Sequence, residues 1–167
     1  ICCNADEGDS GTFADRMVME GDPFMLIEGM TVAGIAVGAS KGYIYIRSEC
    51  PDAIAVMKEA ILLATKAGWL GRHIQGTDKS FALEVRRGAG AYICGEETAM
   101  LESLEGRRGM VRPKPPNPAA GRGPRRARYG AWSFSGGGVE RLHVGGGDGV
   151  GVAIAEIAAN IVGDASD

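Results

Sequence analysis

Tyr43-Ile44-Tyr45-Ile46-Arg47 is an alternating run of strand formers, and after Ser48-Glu49-Cys50 it passes into Pro51-Asp52-Ala53-Ile54-Ala55-Val56-Met57-Lys58-Glu59-Ala60-Ile61-Leu62. The first run predicts a strand. In the second, proline opens the segment and Ile54, Met57, Ile61 and Leu62 recur at helical spacing, which predicts a helix with one apolar face. The same alternation extends in both directions. Upstream, Asp22-Pro23 places a capping side chain before a proline, so a helix is expected over residues 24–37, with Gly29, Gly34 and Gly38 as small residues for close packing. Downstream, Ala82-Leu83-Glu84-Val85-Arg86 predicts a short strand that enters a glycine-rich turn at Gly88, and a helix from Glu96 to Leu104 closes at Gly106. Strands alternating with helices predict an α/β layered domain, in which the apolar faces form the core.

The bulk properties are those of a globular chain. The 167 residues suffice for one domain with a core, and 45% apolar with 23% charged residues is ordinary. Glycine, at 27 residues, is about twice its average share of ~7%. The net charge of −3 gives no general reason to expect nucleic acid as a partner. The charge is unevenly spread: seven acids fall in the first 28 residues, while Arg107 to Arg128 carries eight bases and no acid. Cys2, Cys3, Cys50 and Cys94 form no Cys-x-x-Cys pair, and His73 and His143 lie far apart, so no metal site is read from spacing. Cys2, Cys3 and Cys94 are expected as buried small apolar residues. No signal peptide and no apolar run near the ~20 residues of a membrane helix are visible, which makes a reducing cytoplasm the expectation. The start at Ile1, directly before a motif, reads as that of a fragment.

From Asn117 the pattern changes. Residues 117–149 are rich in glycine and arginine and include Gly136-Gly137-Gly138 and Gly145-Gly146-Gly147, a composition of irregular structure. Arg122, Arg125, Arg126 and Arg128, with Tyr129 and Trp132, could be read as a nucleic-acid stripe, but nothing else in the chain supports it and a solvated charge run is the simpler reading. Residues 150–162 are expected as a helix with Ile154, Ile157 and Ile161 in register, followed by a tail to residue 167.

Two segments could carry chemistry. Asn4-Ala5-Asp6-Glu7-Gly8-Asp9 puts an amide, carboxylates and a glycine after a short apolar start, as a strand-end loop would, and strand ends are where α/β folds place ligands. Carboxylates accept hydrogen bonds, so they suit hydroxyls and ring N–H groups rather than phosphate; a solvated acidic turn is the alternative. Gly88-Ala89-Gly90-Ala91-Tyr92-Ile93-Cys94-Gly95-Glu96-Glu97-Thr98 brings glycines, which let backbone approach a ring, to two acids at a helix start. Tyr92 fits either a ring contact or the core.

Together these segments, from about Cys3 to Pro116, resemble the flavin-bearing, NADH-oxidising subunit shared by respiratory complex I, NAD-reducing hydrogenases and NAD-dependent formate dehydrogenases. The resemblance implies a Rossmann-like layered flavin-binding domain over 1–116, present as a fragment, with FMN and NAD as cofactors. It implies that Asn4, Asp6 and Glu7 line the flavin, that Asp9 lies on the nicotinamide side, and that Gly95, Glu96 and Glu97 form the opposite wall, with Tyr92 left to either the ring or the core. Lys114, held between prolines in Arg112-Pro113-Lys114-Pro115-Pro116, matches a family position near the dinucleotide. Where the family has a large apolar residue over the nicotinamide, this chain has Asn117. The upstream glycine-rich phosphate loop, the downstream Thr-Asn-Asn segment and the cysteine cluster that holds a 4Fe-4S centre in full-length members have no counterpart here.

Gly11-Thr12-Phe13-Ala14-Asp15-Arg16-Met17 with Glu20-Gly21-Asp22-Pro23 looks most like the formate dehydrogenase branch. The resemblance therefore implies hydride transfer between NAD(H) and flavin, with single electrons exchanged with iron–sulfur clusters and partner subunits carrying molybdenum or tungsten. The flavin subunits of complex I and of NAD-reducing hydrogenase are the alternatives within the family, and an inert structural fragment that binds no flavin is the alternative outside it. No residue is needed as nucleophile or general base, since the cofactor carries the redox chemistry.

Overall fold

The computed structural model describes residues 1–113 and, beyond them, the short strands Arg128–Tyr129, Gly151–Val152 and Ile154–Glu156. Strand β1 (Cys2–Ala5) is followed by helices α1 (Ala14–Gly21) and α2 (Pro23–Ala36), strand β2 (Lys41–Arg47), helix α3 (Pro51–Lys66), strand β3 (Ala82–Gly88) and helix α4 (Glu97–Leu104). Next come β4 (Arg128–Tyr129), β5 (Gly151–Val152) and β6 (Ile154–Glu156). The main sheet runs in the order β3-β2-β1-β6 and every pairing in it is parallel. β4 and β5 pair with each other.

Parallel strands need crossovers and bury both faces, and this sheet does both. On one face Cys3 and Ala5 of β1, Ile44 and Ile46 of β2 and Leu83 of β3 pack with Met19 of α1, Leu26, Ile27 and Met30 of α2, and Ala53, Met57 and Ala60 of α3. On the other face Cys2 and Tyr45 pack with Cys94, Met100 and Leu101. The result is three layers: three helices, the sheet, and α4. The alternation Tyr43-Ile44-Tyr45-Ile46 is thus read out as two faces, isoleucines to one layer and tyrosines to the other.

Local chemistry sets the helix ends. Asp22 accepts the Met25 amide at 3.2 Å and Pro23 takes the first helical position of α2. At the end of α4, Gly106 N donates to Ser103 O at 3.0 Å and Arg107 N to Glu102 O at 2.9 Å, the paired bonds of a Schellman closure. All four cysteines are buried, as expected for Cys2, Cys3 and Cys94.

Three expectations are corrected. Leu62 is 53% exposed. Eight residues from Ile54 turn a helix by about 80° beyond two full turns, which carries Leu62 off the face that Ile54, Met57 and Ala60 bury. The helix expected from Val150 meets strand at Gly151–Val152 and Ile154–Glu156. There, β-branched Val150, Val152 and Ile154 alternate with small residues, a period of two that the helical register of Ile154, Ile157 and Ile161 obscured. Within the expected irregular stretch 117–149, Arg128–Tyr129 is strand. The rest of that stretch, Lys114, Asn117 and the remainder of 157–167 lie outside the described residues.

Candidate functional site

The register fixes where the loops meet. Ala5 is opposite Ile46 and Arg47 is opposite Gly88, so β1, β2 and β3 end together at one edge of the sheet. In an open parallel sheet the carboxyl ends of the strands form the ligand-binding crevice. Here they bring together Asn4-Ala5-Asp6-Glu7-Gly8-Asp9, Arg47-Ser48-Glu49 and residues 88–97, segments separated by some forty residues each along the chain.

Asn4 ties the first loop to the third: its Nδ2 donates to Gly95 O at 2.8 Å, and its Oδ1 accepts the Asp6 amide at 3.3 Å. Asp6 is 1% exposed, and its Oδ1 has no hydrogen-bond partner among the described residues. Burial lifts its carboxyl to about 6; Arg47 pulls against that shift and Glu49 adds to it. An ideal Cβ on Gly8 would fall 3.2 Å from Asp6 Oδ2, and one on Gly95 would fall 3.5 Å from the same oxygen. The carboxylate therefore lies between the backbone of Gly8 and that of Gly95.

Glu7 stands in a left-handed conformation with φ 45°. Its side chain accepts from the Asp15 and Arg16 amides at 2.8 and 3.2 Å, capping α1, whose own preceding residue Phe13 has no capping side chain. Its carbonyl accepts from Arg47 Nη1 at 3.3 Å. Arg47 also donates Nη2 to Glu49 Oε1 at 2.9 Å, and Ser48 Oγ donates to Glu49 Oε2 at 3.0 Å. Those two donors, Arg47 first, hold the Glu49 carboxyl down to about 2. Glu49 in turn rests on Gly90, where the φ of +85° favours glycine and a Cβ would push the Glu49 carboxylate aside.

Asp9 accepts from the Tyr92 hydroxyl at 2.6 Å, which raises the tyrosine's pKa. Tyr92 is 69% exposed and its ring edge covers Gly8, at 2.9 Å from an ideal Cβ there. It stands at the rim of the crevice, so the core alternative for this residue is set aside. Glu96 is the N-cap of α4: its Oε2 accepts from Thr98 N at 2.9 Å, Thr98 Oγ1 at 2.5 Å and Ala99 N at 3.0 Å. Glu97 occupies the first turn of α4. The structure thus gathers Asn4, Asp6, Glu7, Asp9, Tyr92, Gly95, Glu96 and Glu97 at one edge, whereas Lys114 lies outside the described residues.

Arg47 and Glu49 were not singled out from the sequence, yet they knit the three loops together. The signal was present: a strand ending in Arg-Ser-Glu must, in a parallel sheet, deliver those side chains to the same edge as its neighbours' loops.

The FMN-binding domain model of Nuo51, the 51K component of complex I, matches residues 1–123. The chain belongs to this family. It is 57% identical over 119 residues to the second F subunit of NADH-quinone oxidoreductase in Rhizobium meliloti, covering 71% of this chain and 28% of that protein. It is 51% identical over 119 residues to the F subunit of the same enzyme in Escherichia coli, with 71% and 27% covered. To HndC, the NADP-reducing hydrogenase component of Solidesulfovibrio fructosivorans, it is also 51% identical, with 71% and 24% covered. Among solved structures, an air-oxidised NAD+-reducing NiFe hydrogenase superposes with a TM-score of 0.57 at 32% identity, covering 92% of this chain and 21% of that one. The chain thus spans about a quarter of the length of the relatives it matches.

The residues present fit the ring and ribityl portion of FMN. A buried carboxylate oxygen without a donor calls for a hydroxyl or ring N–H, and Gly95 keeps side-chain bulk off the backbone beside the same carboxylate. Among the described residues no group of His, Cys, Asp and Glu could hold a metal ion, and no helix is long and apolar enough to cross a membrane.

Proposed function

We propose that this chain is the FMN-holding part of a subunit that exchanges hydride between NAD(H) and bound flavin and passes electrons to or from iron–sulfur clusters in partner subunits. One observation carries the reading: Asp6, buried with an unpartnered oxygen where three parallel strands end between Gly8 and Gly95. A buried carboxylate costs stability unless something answers it, and strain of that kind gathers at binding sites.

In this proposal Asp6 accepts from the ring or ribityl donors of FMN, while Asn4 fixes the distance between the two loops through Gly95. Gly95 gives the flat ring access to backbone. Glu96 and Glu97, at the start of α4, accept ribose hydroxyls. Tyr92 and Asp9, joined at the rim, take the nicotinamide side. Glu7 shapes the loop by capping α1, and Lys114 neutralises phosphate charge. Bound FMN would supply the hydride exchange with NAD(H); the chain binds, orients and shields, and no side chain acts as nucleophile.

For the electron source, residues 11–17 with Glu20-Gly21-Asp22-Pro23 support a formate-oxidising partner carrying molybdenum or tungsten, in the cytoplasm. Metal analysis of the complex in which this chain co-purifies separates that partner from a nickel-containing hydrogenase or a quinone-linked assembly.

The test of the core proposal is titration of the purified chain with FMN, followed by flavin fluorescence and absorbance, then anaerobic addition of NADH. Saturable quenching and bleaching of the flavin band are expected. A folded chain that leaves FMN fluorescence unchanged overturns the proposal in favour of an inert structural piece.

A further inference from the structure

One buried hydroxyl stands between the Gly95-Glu96-Glu97 corner and the segment that leaves α4. Thr98, 2% exposed, donates Oγ1 to Glu96 Oε2 at 2.5 Å and accepts the Arg112 amide at 2.9 Å. A threonine hydroxyl has a single proton, so giving it to Glu96 leaves its lone pairs to face Arg112. With the Thr98 and Ala99 amides, Glu96 Oε2 has three donors and a fixed direction.

The segment that supplies the Arg112 amide is itself held on α4. After the turn at Gly106 it doubles back along the helix. Arg107 reaches Glu102 and Glu105, at 3.5 Å each. Gly109 approaches so closely that a Cβ there would lie 2.8 Å from Cys94 Sγ. The Arg112 guanidinium pairs with Glu102. Glu102 is only 8% exposed, and a carboxylate that buried needs those guanidinium partners. The strap of residues 107–113 is therefore anchored at three points, and the last of them returns it to the start of α4.

We propose that Thr98 is a positioning residue for the Gly-Glu-Glu corner: its hydroxyl links the Glu96 carboxylate to the backbone of the strap, so that docking of the strap sets the orientation of the acid. The functional part of this inference rests on the flavin-site reading above; the link itself does not. Thr98 touches no ligand in this scheme and acts through Glu96.

Two substitutions separate the hydroxyl from the methyl. Thr98→Val keeps shape and removes the hydroxyl; Thr98→Ser keeps the hydroxyl and removes the methyl. In the apo chain, hydrogen exchange at the Ala99 and Arg112 amides is expected to speed up roughly tenfold in Thr98→Val, the loss of one hydrogen bond to a charged group, and to stay near wild type in Thr98→Ser. FMN affinity is expected to follow the same order, weakened roughly tenfold by valine and retained by serine. Wild-type exchange in Thr98→Val, or equal damage from both variants, overturns the proposal, because packing of the methyl would then explain the position. If exchange changes as stated but wild type binds no FMN, the link stands and the flavin reading alone fails.

Discussion

Asp6→Asn isolates the energetic cost of the candidate site. In the native chain the Asp6 carboxyl is 1% exposed, one oxygen lacks a partner among the described residues, and burial raises its pKa from 3.8 to about 6. A raised acid pKa means that the folded state holds the proton more tightly than the unfolded state does. Stability is then highest at low pH with respect to this group and falls as pH rises through the interval between 3.8 and about 6. A tenfold change in proton affinity is worth ~1.4 kcal/mol, so between pH 4 and pH 8 this one group should cost the free chain about 2–3 kcal/mol. Asparagine does not titrate. Any constant difference between the two side chains cancels when the stability gap between variant and wild type is followed against pH. The assay is urea unfolding of both proteins without flavin, at several pH values from 4 to 8. The gap should move in favour of Asp6→Asn by about 2–3 kcal/mol across that range, while FMN affinity falls. A gap that stays flat with pH would refute the reasoning, because the carboxylate would then be solvated or partnered and would not be the unanswered acceptor on which the site is built.

Gly90→Ala should lower stability by roughly 1–2 kcal/mol, since it opposes a φ of +85°; thermal unfolding of the free chain reads this. Glu96→Ala removes the cap of α4 and should cost about 1 kcal/mol in urea unfolding, with a larger loss of FMN affinity than Asp52→Ala, an exposed acid in the first turn of α3. Gly34→Ala forces a methyl against the Phe81 ring inside the core and should lower the unfolding midpoint without a direct effect on the flavin edge. Tyr92→Phe breaks the rim bond to Asp9 and, on a residue 69% exposed, should leave stability within about 0.5 kcal/mol while changing the response to NADH.

Much of the architecture was legible because it is written locally. Asp22-Pro23 and Pro51 mark helix starts by mechanism, and the structure places α2 and α3 there. Tyr43 to Ile46 alternates, and its two residue types face two different layers. The acids around Asp6 and Glu96 were legible as a pair of motifs, and the parallel register explains why they meet. What was missed depends on partners distant in sequence. Helix α1 has no capping side chain before it and borrows Glu7, eight residues ahead of the amide it receives, so no local start signal exists. Arg47 and Glu49 read as an ordinary exposed pair until the strand ends are aligned. Thr98 looks like any helix threonine, and its role emerges only when Arg112 folds back onto it. The C-terminal strands were mistaken for a helix because Ile154, Ile157 and Ile161 satisfy a helical spacing while Val150, Val152 and Ile154 satisfy a strand spacing, and sheet pairing with β1 decides between them.

The most direct test of the central claim is amide chemical-shift mapping of the isotopically labelled chain during titration with FMN. Shifts that saturate together at Asp6, Gly8, Gly90 and Gly95, with Gly42 and Ala82 at the opposite ends of the strands unmoved, are the expected result. Shifts confined to other regions, or none at all from a folded chain, would contradict the assignment of the flavin to the carboxyl edge of the sheet.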